Sequence, residues 1–215
     1  MGIALKQIME IIFWIVILIM SVVIHEVSHG YVAYLQGDPT AYYAGRLTLN
    51  PFKHLDFIGS FIVPVVTSFA GFPFGWAKPV PFNPYNLKNQ RWGEFLIAIA
   101  GPLSNITIAI IFGLILRIAN FNVPQAFFEL SLVVVIVNIV LAVFNLIPIP
   151  PLDGSKILFN ILPSRFLEYR VILEQYSVIL LIVLIIILRN TVFFGSIIGT
   201  IFQLITGIPP AAIGL

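Results

Sequence analysis

The stretch IIFWIVILIMSVVIHEVSHG, residues 11–30, decides how this chain folds. With its flanks it makes an apolar run over about 8–34, and a membrane-crossing helix needs roughly 20 such residues. Its last part, His25-Glu26-Val27-Ser28-His29, sets three ionisable side chains inside that run. Ionisable groups are costly in hydrocarbon and persist there for a function.

The rest of the composition agrees with a membrane chain. It has 215 residues, 60% of them hydrophobic and 9% charged, with a mean hydropathy of +1.06. That is too little polar surface to coat a water-soluble globule. A formal charge of +2 from scattered basic residues excludes a nucleic-acid partner. Cysteine is absent, which excludes disulfides, thiol catalysis and cysteine-held zinc. Lys6 precedes the apolar run as in a signal peptide, but no small-residue cleavage pattern follows, so the segment reads as a retained helix.

Further apolar runs cover about 57–72, 93–118, 127–147, 171–188 and 192–208. Those at 8–34, 93–118 and 127–147 read as spans, and 171–188 as a fourth. The 57–72 and 192–208 runs are short, and the first carries Gly59, Pro64 and Gly71. RLTLN (46–50) alternates as a short strand does, while WAKPVPFNPYN (76–86) holds too many prolines for helix. No internal repeat or polar linker divides the chain. The expected fold is an all-α polytopic membrane protein of about four to six transmembrane helices, with a small membrane-associated β element and a re-entrant segment. It reads as one domain over 1–215, with a core at 8–158 and C-terminal helices at 171–208.

On a helix, His25 and His29 lie one above the other, so both imidazoles can reach one metal ion, with Glu26 beside them. Two histidines and a carboxylate suit zinc, leaving a position for water whose proton a glutamate can take. The sequence offers several third ligands: Asp38, Asp56, Asp153, His54 and the remaining glutamates. Asp153 follows a long apolar helix and a run, Pro148, Pro150 and Pro151, that must end regular helix. An aspartate capping the short helix SKILFNIL accounts for the same position.

HEVSH (25–29), AGPLSN (100–105) and NLIPIPPLDG (145–154) together resemble, in order and spacing, the site-2 protease family of intramembrane zinc metalloproteases, the M50 group. The resemblance implies one zinc per chain held by His25, His29 and Asp153, with Glu26 as catalytic acid/base. It implies that Asn145 contacts the substrate backbone or the developing oxyanion, and it marks Asn105 as a substrate-side residue. The chain departs from many members in lacking a PDZ or CBS module and in carrying the 57–72 stretch. The substrate implied is a transmembrane protein or peptide within the lipid bilayer. Leu47, Thr48 and Leu49 are the expected edge against which an unwound substrate adds as a strand. An ordinary connecting hairpin is the plainer use of that stretch.

Two other classes compete. A zinc or ion transporter would use the same His/Asp site but commonly shows duplicated halves, of which there is no trace here. An inactive membrane scaffold would be expected to have lost the glutamate or a ligand.

Two expectations concern topology. Arg46, Lys53, Lys78, Lys88, Arg91, Lys156, Arg165 and Arg170 fall on one side if 35–92 and 148–170 share it, leaving Lys6, Arg117 and Arg189 opposite. That excess puts the active-site side in the cytoplasm of a multi-pass cell-membrane protein. If Asp153 is to meet the histidines, the helices at 8–34 and 127–147 must run in the same direction, so 57–72 dips and returns without crossing.

Overall fold

A computed structural model of the chain describes residues 2–69, 75–189 and 191–213. The long helices are α1 (Gly2–Leu35), α4 (Gln90–Ile118) and α5 (Gln125–Asn145). Between α1 and α4 lie α2 (Thr40–Tyr43), a π-helical turn (Ile58–Ile62) and α3 (Val63–Phe69). After α5 come α6 (Asp153–Ile161), α7 (Leu167–Gln175), α8 (Ser177–Arg189) and α9 (Val192–Thr206).

The helix ends follow local chemistry. α1 stops in a Schellman motif: Gly37, at φ +103°, lets its own N–H reach the Tyr34 carbonyl and the Asp38 N–H reach that of Ala33. α4 begins where the Asn89 side chain accepts from the Trp92 N–H at 3.0 Å. α5 ends at Asn145, ahead of the proline run, and the chain turns irregularly until Asp153 opens α6.

Pairing fixes direction. Gln36, at the end of α1, bonds through Nε2 to the Gly93 carbonyl near the start of α4, and its own carbonyl accepts from the Lys88 N–H. Farther from that end, the Ser21 carbonyl of α1 meets Asn105 of α4. These helices are therefore antiparallel. Asn138 of α5 meets both Asn105 of α4 and Ser21 of α1, and Asp153, just past the end of α5, meets His25 and His29 further along α1, so α5 runs parallel to α1 and antiparallel to α4. The 37–89 connection leaves and re-enters the bundle at the same end. Within it the Trp76 N–H returns to the Gly59 carbonyl at 3.0 Å, so the chain comes back to where α3 set out. Residues 70–74, including Gly71 of the expected turn, lie outside the described residues.

Two expectations need correction. The strand over RLTLN does not form, and there is no strand among the described residues. Its alternation has another cause: Gly45 turns at φ +63°, Arg46 is buried with Nη2 on the Lys78 carbonyl, and Asn50 caps the turn at Pro51–Lys53. The expected count of about four to six spans narrows to three or four. Among the described residues, three helices (Gln7–Leu35, Gln90–Ile118, Gln125–Asn145) are long and apolar enough to cross a membrane, or four if α7 and α8 count as one span. Those two meet at 76°, because Glu174 and Gln175 interrupt the apolar run and Arg170 is held by Glu94 of α4 and by Glu174.

Packing is dry at one level of the bundle, where Ala109, Val135, Ile139, Ile198 and Phe202 join α4, α5 and α9. At another level of the same helices it is polar.

Candidate metal centre

His25 and His29 sit on the face of α1 turned to α4, both buried, with ring centroids 4.7 Å apart. Asp153 is delivered by α6. Its Oδ2 lies 3.0 Å from His25 Nε2 and 3.2 Å from His29 Nε2. Gly154 lets the start of α6 pack against the chain just past α5, since a Cβ there would lie 2.3 Å from the Leu146 carbonyl oxygen and 2.5 Å from that of Ile147. The other Asp153 oxygen, Oδ1, lies 3.5 Å from Lys156 Nζ.

The hydrogens decide what this cluster can do. His29 Nδ1 is 2.6 Å from the Ile97 carbonyl oxygen, and a carbonyl only accepts, so that nitrogen carries a proton. His25 Nδ1 is 2.6 Å from Asn105 Oδ1 and is protonated for the same reason. In the neutral rings both Nε2 atoms are then bare lone pairs aimed at a carboxylate oxygen. Three acceptors converge with no donor among them, which calls for a cation. Two added protons would place two imidazolium rings side by side, a repulsion of about 3–4 kcal/mol at an effective dielectric constant near 20. A single divalent ion satisfies all three atoms without that cost. There is also room for it: a Cβ at Gly101 would lie 2.5 Å from Nε2 of both histidines, so only glycine keeps that side of the cluster open. Pro102 follows, leaving this turn of α4 one backbone N–H short.

The other candidates lie elsewhere. Asp38 is surrounded by donors from Thr40, Asn83 and Asn86. His54 is buried with Nε2 on the Thr48 carbonyl, and Asp56 Oδ2 accepts from the Gly59 N–H. Among the described residues, His25, His29 and Asp153 are the group able to hold a metal ion.

Glu26 is half-buried, and its Oε2 accepts from the Val80 N–H at 2.9 Å, so the extended 75–83 segment runs against it. Asn145 donates from Nδ2 to the Leu141 carbonyl within its own helix. Asn105 is fully buried and stands behind His25, with its Oδ1 on His25 Nδ1. Leu47 lies against Gly30 of α1, Thr48 is half-buried and Leu49 is exposed; none offers a strand edge. Sequence reasoning passed over Ser21, Asn138 and Lys156. The first two carried a signal, as polar residues in the middle of apolar runs.

The model of peptidase family M50 matches residues 115–188, which include Asn145 and Asp153. "Putative zinc metalloprotease YwhC" of Bacillus subtilis is 41% identical over 179 residues, 80% of this chain and 79% of that protein. The chain belongs to peptidase family M50. "Zinc metalloprotease MJ0392" of Methanocaldococcus jannaschii is 28% identical over 158 residues, 72% of this chain but 37% of that longer protein. No solved structure matches this chain.

Proposed function

We propose that the chain is a zinc-dependent intramembrane endopeptidase that hydrolyses peptide bonds in or near transmembrane segments of membrane proteins. The observation that carries this is the meeting of three acceptor atoms, two from His25 and His29 on a helix long and apolar enough to cross a bilayer and one from Asp153 at the start of α6. The names of the M50 relatives support zinc as the ion and proteolysis as the reaction.

In this mechanism His25 Nε2, His29 Nε2 and Asp153 Oδ2 hold one zinc per chain. Bound zinc supplies a Lewis acid that acidifies a water and polarises a peptide carbonyl. Glu26, the neighbour of His25, takes the proton of the attacking water on its carboxylate and returns it to the leaving amine. Asn145, at the end of α5, contacts the substrate backbone or the developing oxyanion. The site opens towards the cytoplasm of a cell membrane, following the excess of Lys and Arg on that side. The described part of the 57–72 stretch, 57–69, dips into the membrane face as a flap.

Purified wild type should carry about one zinc per chain, as a single three-ligand site requires. Glu26→Gln should keep that zinc, lose about 10²–10⁴-fold in rate, and retain uncleaved membrane protein identifiable by mass spectrometry. A zinc-free wild type, or a Glu26→Gln variant that still cleaves at the wild-type rate, ends the proposal. For topology, Asp56→Cys and Lys78→Cys should both be shielded from an impermeant thiol reagent applied to intact cells. Labelling of both from outside reverses the orientation, and labelling of one alone shows that the stretch between them crosses.

A further inference from the structure

We infer that Asn138, with the Ser21 hydroxyl beside it, is a positioning residue for the metal centre. It decides which way the Asn105 amide faces, and through it which nitrogen of His25 carries the proton. The inference rests on reading His25, His29 and Asp153 as metal ligands.

The two histidines are oriented by different means. His29 Nδ1 meets a main-chain carbonyl, which cannot be turned round. His25 Nδ1 meets a side-chain amide, which can. A flipped Asn105 would present its NH2 group, make His25 Nδ1 an acceptor and move the ring hydrogen to Nε2. That hydrogen would then point at Asp153 Oδ2, a satisfactory hydrogen bond that closes the nitrogen to a metal.

What prevents the flip can be followed outward from His25. Asn105 Nδ2 donates to Asn138 Oδ1 at 2.8 Å and, more weakly, to the Ser21 carbonyl at 3.3 Å. Asn138 presents its oxygen there because its own nitrogen is committed. Nδ2 donates to the Val134 carbonyl at 2.8 Å and to Ser21 Oγ at 2.9 Å. A carbonyl can only accept, so Val134 and Ser21 fix the polarity of the chain, and Asn138 transmits it by the shorter of the two contacts to Asn105. All three side chains are buried, and Asn105 and Asn138 are wholly so. Burying an amide in an apolar helix is costly unless every group is paired, whereas a leucine would fill similar volume without that demand. Packing alone does not account for an asparagine here.

The test measures zinc affinity of the full-length protein in detergent by competition with a chromophoric chelator, for wild type, Asn138→Leu and Asn138→Asp. Asn138→Leu removes the acceptor that holds Asn105 and should weaken zinc binding about 10-fold or more, within the 10–100-fold range of residues behind a ligand. Asn138→Asp keeps an oxygen towards Asn105 Nδ2 and should bind zinc nearly as wild type, even where its thermal stability is lower. A packing role predicts the reverse order, with leucine harmless and aspartate harmful. Wild-type affinity in Asn138→Leu, or equal weakening in both variants, overturns the inference. Should Asn138→Asp fail to fold, the visible spectrum of Co²⁺-loaded Asn138→Leu decides. A changed ligand-field envelope with weaker binding supports the role, and an unchanged one overturns it. A wild type that binds no zinc overturns the metal reading itself, and this inference with it.

Discussion

Two buried aspartates near the same end of the bundle have opposite surroundings. Asp38, just past α1, receives hydrogen bonds from the Thr40 and Asn83 N–H groups, the Thr40 hydroxyl and Asn86 Nδ2. Asp153, at the start of α6, faces two imidazole nitrogens whose hydrogens are turned away from it. Both are acidic residues with little exposure, and both were candidates for the third ligand. The sign of the neighbours separates them. A carboxylate ringed by donors is complete, and its work is to tie α1 to the 83–86 turn. A carboxylate whose Oδ2 faces only acceptors, with Lys156 Nζ 3.5 Å from its other oxygen, is incomplete on that side until a cation arrives.

The largest expected effect breaks the incomplete site. Asp153→Ala should lower zinc affinity by about 10²–10⁴-fold, the scale of removing one partner from a buried charged group. Measured by equilibrium dialysis, an unchanged affinity would return His54 or Asp56 to candidacy. In metal-free protein the same variant should melt no lower than wild type, because it removes one of three mutually facing acceptors.

Asp38→Ala should behave in the opposite way. Zinc affinity should stay at wild type, while buried donors on Asn83 and Asn86 lose their acceptor at a cost of about 2–3 kcal/mol. On a chain of this size that lowers the melting temperature by about 5–10 °C. A fall in zinc affinity matching that of Asp153→Ala would mean that the two aspartates are not separable by their surroundings.

A smaller effect sharpens the account of the open side of the cluster. The Cβ added by Gly101→Ala comes within 2.5 Å of both Nε2 atoms, so zinc affinity should drop about 10-fold or more, as when the surroundings of a metal ligand are disturbed. Replacement of Gly195, where an added Cβ meets nothing within 4 Å, is the control and should leave affinity unchanged.

How much of this was legible depended on whether the signal was local. The spacing of His25 and His29 on one helix face is a local fact, and the resemblance of NLIPIPPLDG supplied Asp153. The parallel run of α1 and α5 followed from requiring those residues to meet. The RLTLN strand failed because alternation records which side chains turn inward without revealing what they meet. Arg46 turns inward to bond the Lys78 carbonyl, and no strand partners it. The run at 171–188 read as one span because hydropathy averages over Gln175 and Ser177, where the helix axis turns. Asn105 was visible as a motif residue. Its place behind His25 depended on Asn138 and Ser21, each distant in sequence, and no pattern within one helix could have joined them.

The smallest effect concerns acid, and it isolates Asp38. Burial pushes its carboxyl up, but the hydrogen bonds from Thr40, Asn86 and Asn83 outweigh burial and hold it below the usual carboxylate range. A carboxylate whose folded value is depressed binds fewer protons folded than unfolded, so it adds stability above its unfolded pKa of about 3.9. That contribution fades as the pH falls below about 4 and through the lower folded value. Asp38→Asn cannot titrate there. Melting temperatures of wild type and Asp38→Asn should therefore differ by a constant amount between about pH 5 and 7, and the gap should narrow below about pH 4. The comparison is best made with chelator present, so that proton-driven loss of metal does not enter. A gap that closes instead between pH 7 and 5, where histidines titrate, would show that Asp38 is coupled to the metal centre and that the two carboxylates are one system.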